Sequence, residues 1–594
     1  MNTNWNDPNF QGFGGKNPFG GRPKKAKAPR KAVGTPLGRT ALNLAVTLLV
    51  GAVYYYAELP ALNLHSGTLY VFVILLCAVY CGMAVLTSGF QGSGAKGYFG
   101  FVKKQCKIPL ILTLALLVTA IVGSIVGWKL LRADSYRDLL TVESGDFASE
   151  VQEISFDQIP MLDRDSASKL GNRKLGELAD MVSQFEVDDD YTQINYKGRP
   201  VRVTALRYGD WIKWLNNRQS GLPAYLIIDM VTQNVEVVRL EQGIRYTTAE
   251  HFGRNLNRHL RFHYPTYIFD SPAFEIDEEG NPYWVCPRIT NTIGLFGGTD
   301  VLGAVLVNAV TGESAYYKTG DVPNWVDHVY TAELIMQQYD YHGAYVNGFI
   351  NSLFGQRDVT VTTEGYNYIA IGDDVYMYTG VTSVVSDESN IGFILSNQRT
   401  KETRFYLVAG AKEYSAMDSA QGQVQQMKYT ATFPLLLNIS DQPTYFMALK
   451  DAAELVKMYA MVNVSQYQIV ATGDTVASCE ANYRRILAEK GLVSADDADL
   501  PLTGQSEASG VLDDIRSAVV DGNTLYYLHL TGDSHYYVIS AAVQPEVVIY
   551  NTGDYVTIRF ADGEGTILTA DSAERTAAQT APALGTDTER EPAA

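Results

Sequence analysis

Acidic residues are almost absent from the first 132 positions of this 594-residue chain. Residues 1–132 contain 14 Lys and Arg but only two acidic residues, Asp7 and Glu58, whereas residues 133–594 contain 33 bases and 63 acids. The formal charges of the two parts are therefore +12 and −30. A charge step of this size indicates that the two parts lie in different surroundings.

Familiar catalytic signatures are also missing. The chain contains no P-loop, no H-E-x-x-H and no G-x-S-x-G. Those motifs support phosphate binding, zinc-dependent hydrolysis and serine catalysis. We therefore expect no cofactor and no metal, and no enzyme class is indicated.

Cysteine is scarce, with five residues in the whole chain. Cys77, Cys81 and Cys106 lie within or beside apolar runs, which leaves Cys286 and Cys479 in the acidic part. Two cysteines far apart in sequence exclude a dense disulfide framework. We expect two buried free thiols, and domains stabilised by ordinary cores.

The basic part does contain three long apolar runs, at about residues 40–57, 69–90 and 108–128. Each is close to the ~20 residues that a helix needs to cross a bilayer. Residues 39–132 are therefore predicted to form three transmembrane helices. Residues 1–38, rich in Gly, Pro, Asn and Lys, are predicted to be a disordered basic tail.

The positions of the bases predict the orientation. The N-terminal tail and the loop between the second and third runs are rich in Lys and Arg, whereas residues 58–66 contain neither. Basic segments stay in the cytoplasm, so the N-terminus is predicted to be cytoplasmic and residues 133–594 extracytoplasmic. Insertion in the membrane explains the basic tail, and no nucleic-acid partner is expected.

The acidic part is long enough for several domains. Its patterns predict a membrane-anchored multidomain protein with α+β hairpins, an all-β or mixed middle region and a small C-terminal β-barrel of OB or SH3 type. The predicted segments are a stalk (133–158), an α+β domain (159–321), a connecting helix (322–354), a β-rich mixed domain (355–495), a linker (496–510), the barrel (511–569) and a disordered tail (570–594). The low charge of residues 322–354 favours burial between domains over a helix on the membrane surface, which normally carries Lys or Arg on its polar face.

Residues 160–320 resemble PepSY-type extracytoplasmic modules. The resemblance is a helix followed by a hairpin whose turn reads Asn-Ala-Val-Thr-Gly-Glu at 308–313, with a fainter copy at 229–236. It implies a regulatory or binding role at the cell envelope. The resemblance assigns no catalytic residues to this chain, because such modules share none.

One pair of short motifs suggests an alternative chemistry. Ser166 and Lys169 match the S-x-x-K of penicillin-recognising acyl enzymes, and Lys318 begins a K-T-G. In such enzymes the lysine activates the serine for attack on a carbonyl. No S-x-N or Y-x-N element lies between the two motifs, and the simpler interpretation is that Ser166 or Asp165 caps a helix while both lysines are solvated.

Two further groups have the residue types of metal ligands. His259 and His263 have i, i+4 spacing near His251, but arginines are interleaved with them and Pro265 ends the helix. Residues 188–190 are three consecutive aspartates without the spaced ligands of a calcium loop. Structural histidines and a solvated acidic turn are the predictions for these groups.

The sequence therefore predicts a multi-pass membrane protein that displays a large, non-enzymatic binding or scaffolding region at the cell envelope. Its expected partners are the lipid bilayer and an envelope protein or wall polymer. Two alternatives stay open. One is a cell-wall acyl enzyme that uses Ser166, and the other is a PepSY-like regulator or inhibitor of an exported protease.

Overall fold

The computed structural model of the protein describes residues 34–89, 95–151, 153, 159–384, 386–493, 505–520, 523–541, 544–561 and 565–575. Most of the predicted basic tail, linker and C-terminal tail lies outside these residues. The chain divides into two compact parts, Met1–Glu58 with Tyr70–Thr119, and Leu59–Leu69 with Ala120–Ala594.

Three apolar helices form at the N-terminal end, as predicted: α1 (Pro36–Glu58), α2 (Gly67–Ser88) and α3 (Ala95–Val126). All three are long and apolar enough to cross a membrane, which marks the protein as membrane-associated. The third helix begins 13 residues before the predicted run at 108. A helix can continue into its basic, solvated flank, so the apolar run marks only part of it.

In the segment predicted as a stalk, residues 133–151 and 153 are described and are instead folded into the second part, whereas residues 152 and 154–158 lie outside the described residues. The segment contains α4 (Lys129–Arg137), β1 (Val142–Gly145) and α5 (Phe147–Glu150). β1 pairs in parallel with Thr403–Tyr406, and Phe147 is buried in a core with Tyr406. The local sequence is polar, and the contacts that order it come from residues more than 250 positions away.

Residues 164–473 form four consecutive modules with the same topology. Each module begins with a helix, followed by a short strand, a strand hairpin and two more antiparallel strands. In every sheet the short strand and the first hairpin strand both pair with the second hairpin strand, and the last two strands follow in chain order. The described part is therefore rich in β-strands, as predicted, but its middle region is α+β throughout.

The first two modules lie within the predicted α+β domain, 159–321. The first comprises α6 (Arg164–Gly176), β2 (Phe185–Val187), β3 (Thr192–Tyr196), β4 (Arg199–Tyr208), α7 (Trp211–Asn217), β5 (Leu222–Asp229) and β6 (Val235–Ile244). The second comprises α8 (Leu256–His263), β7 (Ile268–Phe269), β8 (Ala273–Ile276), β9 (Pro282–Ile293), β10 (Gly297–Asn308) and β11 (Ser314–Lys318). Buried residues of both modules form one core cluster that includes Leu226, Phe274 and Trp284.

The other two modules follow at once. The third comprises α9 (Ala332–Ala344), α10 (Gly348–Ile350), β12 (Thr360–Thr362), β13 (Asn367–Ile371), β14 (Asp374–Ser383), β15 (Ser386–Asn397) and β16 (Thr403–Tyr406), and β17 (Gly410–Ala411) also pairs with β15. The fourth comprises α11 (Glu413–Gln423), β18 (Thr430–Ala431), β19 (Leu435–Ile439), β20 (Gln442–Lys450), β21 (Val456–Asn463) and β22 (Val470–Gly473).

The predicted connecting helix is therefore the helix of the third module. α9 ends at Ala344, and beyond it Ile350, Leu353 and Phe354 are exposed, so the low charge of this stretch does not reflect burial throughout.

One hairpin turn recurs in the first three modules. Asp229, Asn308 and Asn397 each accept two backbone hydrogen bonds on Oδ1 from the residues two and three positions later. The fifth residue of each turn, Gln233, Gly312 or Lys401, has a positive φ. These side chains hold the turn between the last two strands of each module.

The C-terminal residues form helix α12 (Val476–Glu489) and five strands: β23 (Gln505–Val520), β24 (Asn523–Leu530), β25 (Tyr536–Ser540), β26 (Tyr555–Ala561) and β27 (Ile567–Arg575). Their pairing order, β23-β24-β25-β27-β26, returns to β23 and closes the sheet. This unit extends beyond both predicted limits, 511 and 569. Cys286 and Cys479 are buried and free, as predicted.

The connection between α1 and α2 is held by the second module. Leu62 donates its backbone N–H to the Pro265 carbonyl at 2.8 Å, and Arg261 donates to the Leu59 carbonyl at 2.9 Å. His65 Nδ1 lies 3.2 Å from the carbonyl oxygen of Leu295, in the β9–β10 turn.

The end of α3 reaches the same turn. A Cβ atom added to Gly294 would lie 2.6 Å from the Gly127 nitrogen and 2.7 Å from the Gly123 carbonyl oxygen, so the two backbones are in direct contact. Tyr136 donates its hydroxyl to the Gly127 carbonyl at 2.8 Å. Two separate chain segments that adjoin apolar helices therefore meet at residues 291–297.

A pair of fully buried carboxylates lies in the second part. Glu275, on β8, accepts backbone hydrogen bonds from Asp327 and His328, both at 2.9 Å. Asp327 accepts one from the backbone of Asn195 at 2.7 Å through Oδ2, and its Oδ1 has no hydrogen-bond partner among the described residues. Burial raises the pKa of Glu275 to about 7, and burial together with Glu275 raises the pKa of Asp327.

Candidate functional site

Helix α7 is an addition to the shared module topology. It lies between β4 and β5 of the first module. The equivalent strands of the second module, β9 and β10, are joined by a turn of three residues, 294–296. Asp210 caps α7 by accepting from the backbone N–H groups of Ile212 and Lys213. Because the other modules connect the same strands without a helix, the fold does not require α7, and its side chains are candidates for function.

Four rings cluster around this helix. The Trp211 ring centroid lies 4.5 Å from that of Trp214, 4.8 Å from His251 and 6.1 Å from Phe252. Trp214 is buried, but Trp211 is 51% and Phe252 56% exposed. Two large rings that remain half in water after packing on two others form a surface suited to stacking on a ligand.

The backbone at Phe252 is strained. Its φ is +52°, a conformation that costs about 1–3 kcal/mol for a residue other than glycine. Arg258 donates to the Phe252 carbonyl at 2.7 Å, which helps to hold this conformation. Strain of this kind is typical of functional positions, because the surrounding structure has to maintain it.

A cavity of about 380 Å³ adjoins the rings. It is lined by Trp214, Arg218, Gln219, Glu250, His251, Phe252, Gly253 and Arg254. Glu250 is buried and accepts hydrogen bonds from Tyr208 at 2.6 Å and from Trp214 Nε1 at 2.7 Å. Burial, followed by the Glu250 carboxylate, raises the pKa of Tyr208, so the phenol stays a donor. This carboxylate orients the tryptophan, and Arg218 and Arg254 supply positive charge at the cavity.

A larger cleft of about 490 Å³ lies beside β16 and α5, with Glu150, Glu402, Arg404, Tyr376 and Tyr406 among its lining residues. Arg404 is already paired with Glu150 at 2.9 Å and with Glu402 at 3.0 Å. Because the charge of Arg404 is already neutralised by these two carboxylates, this cleft is less suited to bind a charged ligand than the ring cluster. We therefore take the four rings and their adjoining cavity as the candidate site.

The residues of the acyl-enzyme alternative are not organised as a nucleophile and base. Ser166 is 2% exposed and donates its hydroxyl to the backbone carbonyl of Glu454 at 3.1 Å. Lys169 and Lys318 are exposed and lie on α6 and β11, in different modules. Among the described residues, no hydrogen bond joins Ser166 to either lysine. The cap of α6 is Asp163, which accepts from the Ser166 N–H, so neither Ser166 nor Asp165 is the cap.

The predicted metal-type groups have other partners. Helix α8 does extend to His263, and the ring centroids of His259 and His263 are 4.2 Å apart. However, His263 Nδ1 lies 2.8 Å from the His259 carbonyl oxygen. Burial lowers the pKa of His259. Asp189 and Asp190 pair with Arg207 and Arg164. Within the described residues, no group of three or more His, Cys, Asp or Glu is placed to hold a metal ion.

Sequence analysis alone missed the ring cluster. The available signal was the W-x-x-W of residues 211–214, followed about 37 positions later by His251 and Phe252. Nothing local indicates that these segments meet.

Comparisons with known proteins add no family. No protein-family model matches the chain, and no curated protein matches it in sequence. Among solved structures, a levansucrase variant from B. megaterium is 10% identical, covers 73% of this chain and 97% of its own, and has a TM-score of 0.18. Bacillus subtilis levansucrase is 10% identical, covers 74% and 99%, and has a TM-score of 0.17. Similarity this low supports no argument about fold or activity.

Proposed function

We propose that this protein is a membrane-anchored, non-enzymatic binding protein whose modules lie outside the cytoplasm and bind an anionic glycan of the cell envelope. The observation that carries the ligand class is the ring cluster, with Trp211 and Phe252 exposed beside Arg218 and Arg254. Sugar rings stack on exposed aromatic faces, and arginines attract phosphate or carboxylate groups along the same polymer.

Two features support the proposed orientation. The α1–α2 connection and the end of α3 both contact the second module, so they lie on one side of the membrane, as three crossings require. The N-terminal tail and the residues that precede the third apolar run are basic, which supports a cytoplasmic position for both. Residues 133–594 are then extracytoplasmic.

The proposal also includes the type of the C-terminal barrel and the PepSY resemblance of the modules. The closed order of β23 to β27 supports a small barrel of OB or SH3 type. The Asx-type turns at 229 and 308 are the hairpin turns that carry the PepSY resemblance, and they support an envelope-binding role for the modules.

Orientation is tested by thiol accessibility in intact cells. Leu407 is 79% exposed between β16 and β17, and we expect Leu407→Cys to react with a membrane-impermeant maleimide without permeabilisation. Lys104→Cys, in the basic segment before the third apolar run, is the matched control and should react only after permeabilisation. The reverse pattern would show that the modules are cytoplasmic and would refute the proposal.

Glycan binding is tested with the full-length protein in detergent, sedimented with purified peptidoglycan that retains its anionic polymer. We expect Trp211→Ala to weaken binding about 30-fold, because a central aromatic contact contributes about 2 kcal/mol. Tyr467→Ala removes another exposed ring, in the fourth module, and should bind like the unchanged protein.

Stripping the anionic polymer from the same peptidoglycan should weaken binding of the unchanged protein, since the arginines then lose their partners. Equal binding by Trp211→Ala, or no sedimentation of the unchanged protein with either preparation, would contradict a glycan ligand at this site. Capture of a protein that depends on Trp211 would point to a protein partner instead.

A further inference from the structure

A short apolar tip projects from the third module between α9 and β12. Its side chains Ile350, Leu353 and Phe354 are 62%, 55% and 82% exposed, and Val346 is exposed beside them. Three large apolar residues within five positions are unusual on a water-exposed surface. The tip contains α10 and a π-helical turn, Asn351–Gly355.

The tip is held in a fixed shape. Asn347 and Asn351 both donate side-chain hydrogen bonds to the Arg357 carbonyl, at 3.1 and 2.9 Å, and the Arg357 N–H donates to Asn351 Oδ1 at 3.2 Å. Gln356 ends the turn with a φ of +48°. These bonds close the loop at its base, so the apolar residues are presented outward by a defined backbone.

The base of the tip packs where the third apolar helix ends. Tyr341 and Tyr345 stack near Tyr136, with ring centroids 5.0 and 6.4 Å from it, and Phe349 stacks on Tyr345. The Tyr136 hydroxyl donates to the Gly127 carbonyl, one residue beyond the end of α3.

Lys129 reinforces this position, since its Nζ lies 4.5 Å from the Tyr341 ring centroid. Trp128 and Leu131, also next to the end of α3, are 54% and 60% exposed. Tryptophan and lysine are typical of the boundary between a membrane and water. The tip is therefore connected, through directly packed residues, to the point at which the chain leaves the bilayer.

We propose that residues 346–354 form a wedge that inserts into the bilayer leaflet at which α3 ends. Ile350, Leu353 and Phe354 enter the boundary between headgroups and acyl chains, about 5–10 Å deep, which is the depth typical of interfacial apolar segments. At the base of the tip, Arg357 is largely exposed and lies 3.6 Å from the exposed Asp358, and at the headgroup level its guanidinium exchanges this solvated ion pair for a lipid phosphate. The wedge gives the modules a second attachment to the membrane. Its insertion requires that the apolar helices cross the bilayer, and it does not require that the ring cluster binds a glycan.

The test uses the full-length protein in phosphatidylcholine and phosphatidylglycerol vesicles. Phe354→Cys and, separately, Ile350→Cys are labelled with an environment-sensitive fluorophore, and quenching by lipids with a shallow or a deep doxyl group reports the depth. The native cysteines outside the apolar helices, Cys286 and Cys479, are buried, and the labelled unchanged protein gives the background. Leu407→Cys, which replaces an equally exposed apolar residue, is the control.

We expect labels at 354 and 350 to emit at shorter wavelength than the label at 407, to be quenched most by the shallow doxyl lipid and to be protected from aqueous iodide. The label at 407 should show the opposite behaviour. Iodide quenching at 354 and 350 equal to that at 407 would overturn the proposal. Protection from iodide without doxyl quenching would also overturn it, because it would show that protein covers the tip. Neither outcome depends on whether the ring cluster binds a glycan.

Discussion

Gly294→Ala is expected to lower the free energy of unfolding of the second compact part by about 2–5 kcal/mol, since overpacking costs about 1–3 kcal/mol and a left-handed backbone about 1–2 kcal/mol. Gly294 has a φ of +66°, and its added Cβ would meet backbone atoms of Gly123 and Gly127 at 2.6–2.7 Å. Backbone atoms cannot rotate away as a side chain can. The β9–β10 turn must therefore move off the end of α3.

Gly372→Ala separates the two causes. Gly372 also has a positive φ, +64°, but a Cβ there would meet nothing within 4 Å. It should therefore show only the conformational cost. Thermal unfolding in detergent compares the stabilities, and limited trypsin digestion at Lys129 and Arg132 reports detachment of the turn from α3. Equal midpoints and equal digestion rates for the two variants would show that the contact between Gly127 and Gly294 contributes nothing.

Asp327→Asn is expected to stabilise the protein, and to do so more at pH 8 than at pH 5. Both carboxyls of the Glu275 and Asp327 pair have raised pKa values in the folded protein. A carboxyl group whose pKa is higher in the folded than in the unfolded protein contributes its full stability when the pH is below the unfolded-state pKa. That stability is lost as the pH rises through the folded-state pKa. For Asp327 the loss begins as the pH rises above 3.8, its ordinary pKa, and grows with further rise in pH, and the substitution removes this loss.

The asparagine keeps the hydrogen bond that Asp327 accepts from the Asn195 backbone, and its uncharged amide replaces a carboxyl whose Oδ1 has no hydrogen-bond partner within the described residues. Burial lowers the pKa of the adjacent His328, so its contribution to stability is lost as the pH falls below 6.5, and at the acid end of the range this opposes the trend of the carboxyls.

Unfolding midpoints between pH 5 and 8 check this expectation. Asp418→Asn, at an exposed position on α11, is the matched control and should keep the pH dependence of the unchanged protein. If Asp327→Asn loses stability with rising pH as steeply as the unchanged protein does, the buried pair is not the cause of that loss.

Features encoded locally were predictable from the sequence. The three apolar helices follow from uncharged runs of about 20 residues, and the turns at 229 and 308 follow from residue types that favour such turns. The third copy of that turn, at Asn397, was not recognised because its middle residues, Gln-Arg, differ from the Ala-Val of the second copy. Four modules therefore appeared in the sequence as one α+β domain followed by a β-rich region.

Features that depend on distant partners could not be predicted in this way. β1 is polar and short, and only its pairing with Thr403–Tyr406 makes it a strand. The ring cluster joins two segments about 37 residues apart, and Trp211 differs from a core tryptophan only in its exposure. The apolar residues at 350–354 look like core residues in the sequence, because hydropathy does not distinguish burial in protein from contact with lipid.

The pairing of β1 with β16 also sets an order of events during synthesis. Residue 142 is made 261 residues before residue 403, an interval of roughly 13–50 s at ordinary translation rates. Throughout that time all residues of the three apolar helices have been made, while Val142–Gly145 has no partner to pair with. All three apolar helices are thus synthesised before the seven-stranded sheet can close, and a nascent chain that stops before residue 403 leaves Val142–Gly145 without its pairing partner, so that its backbone groups are available to a chaperone or to another unfinished chain.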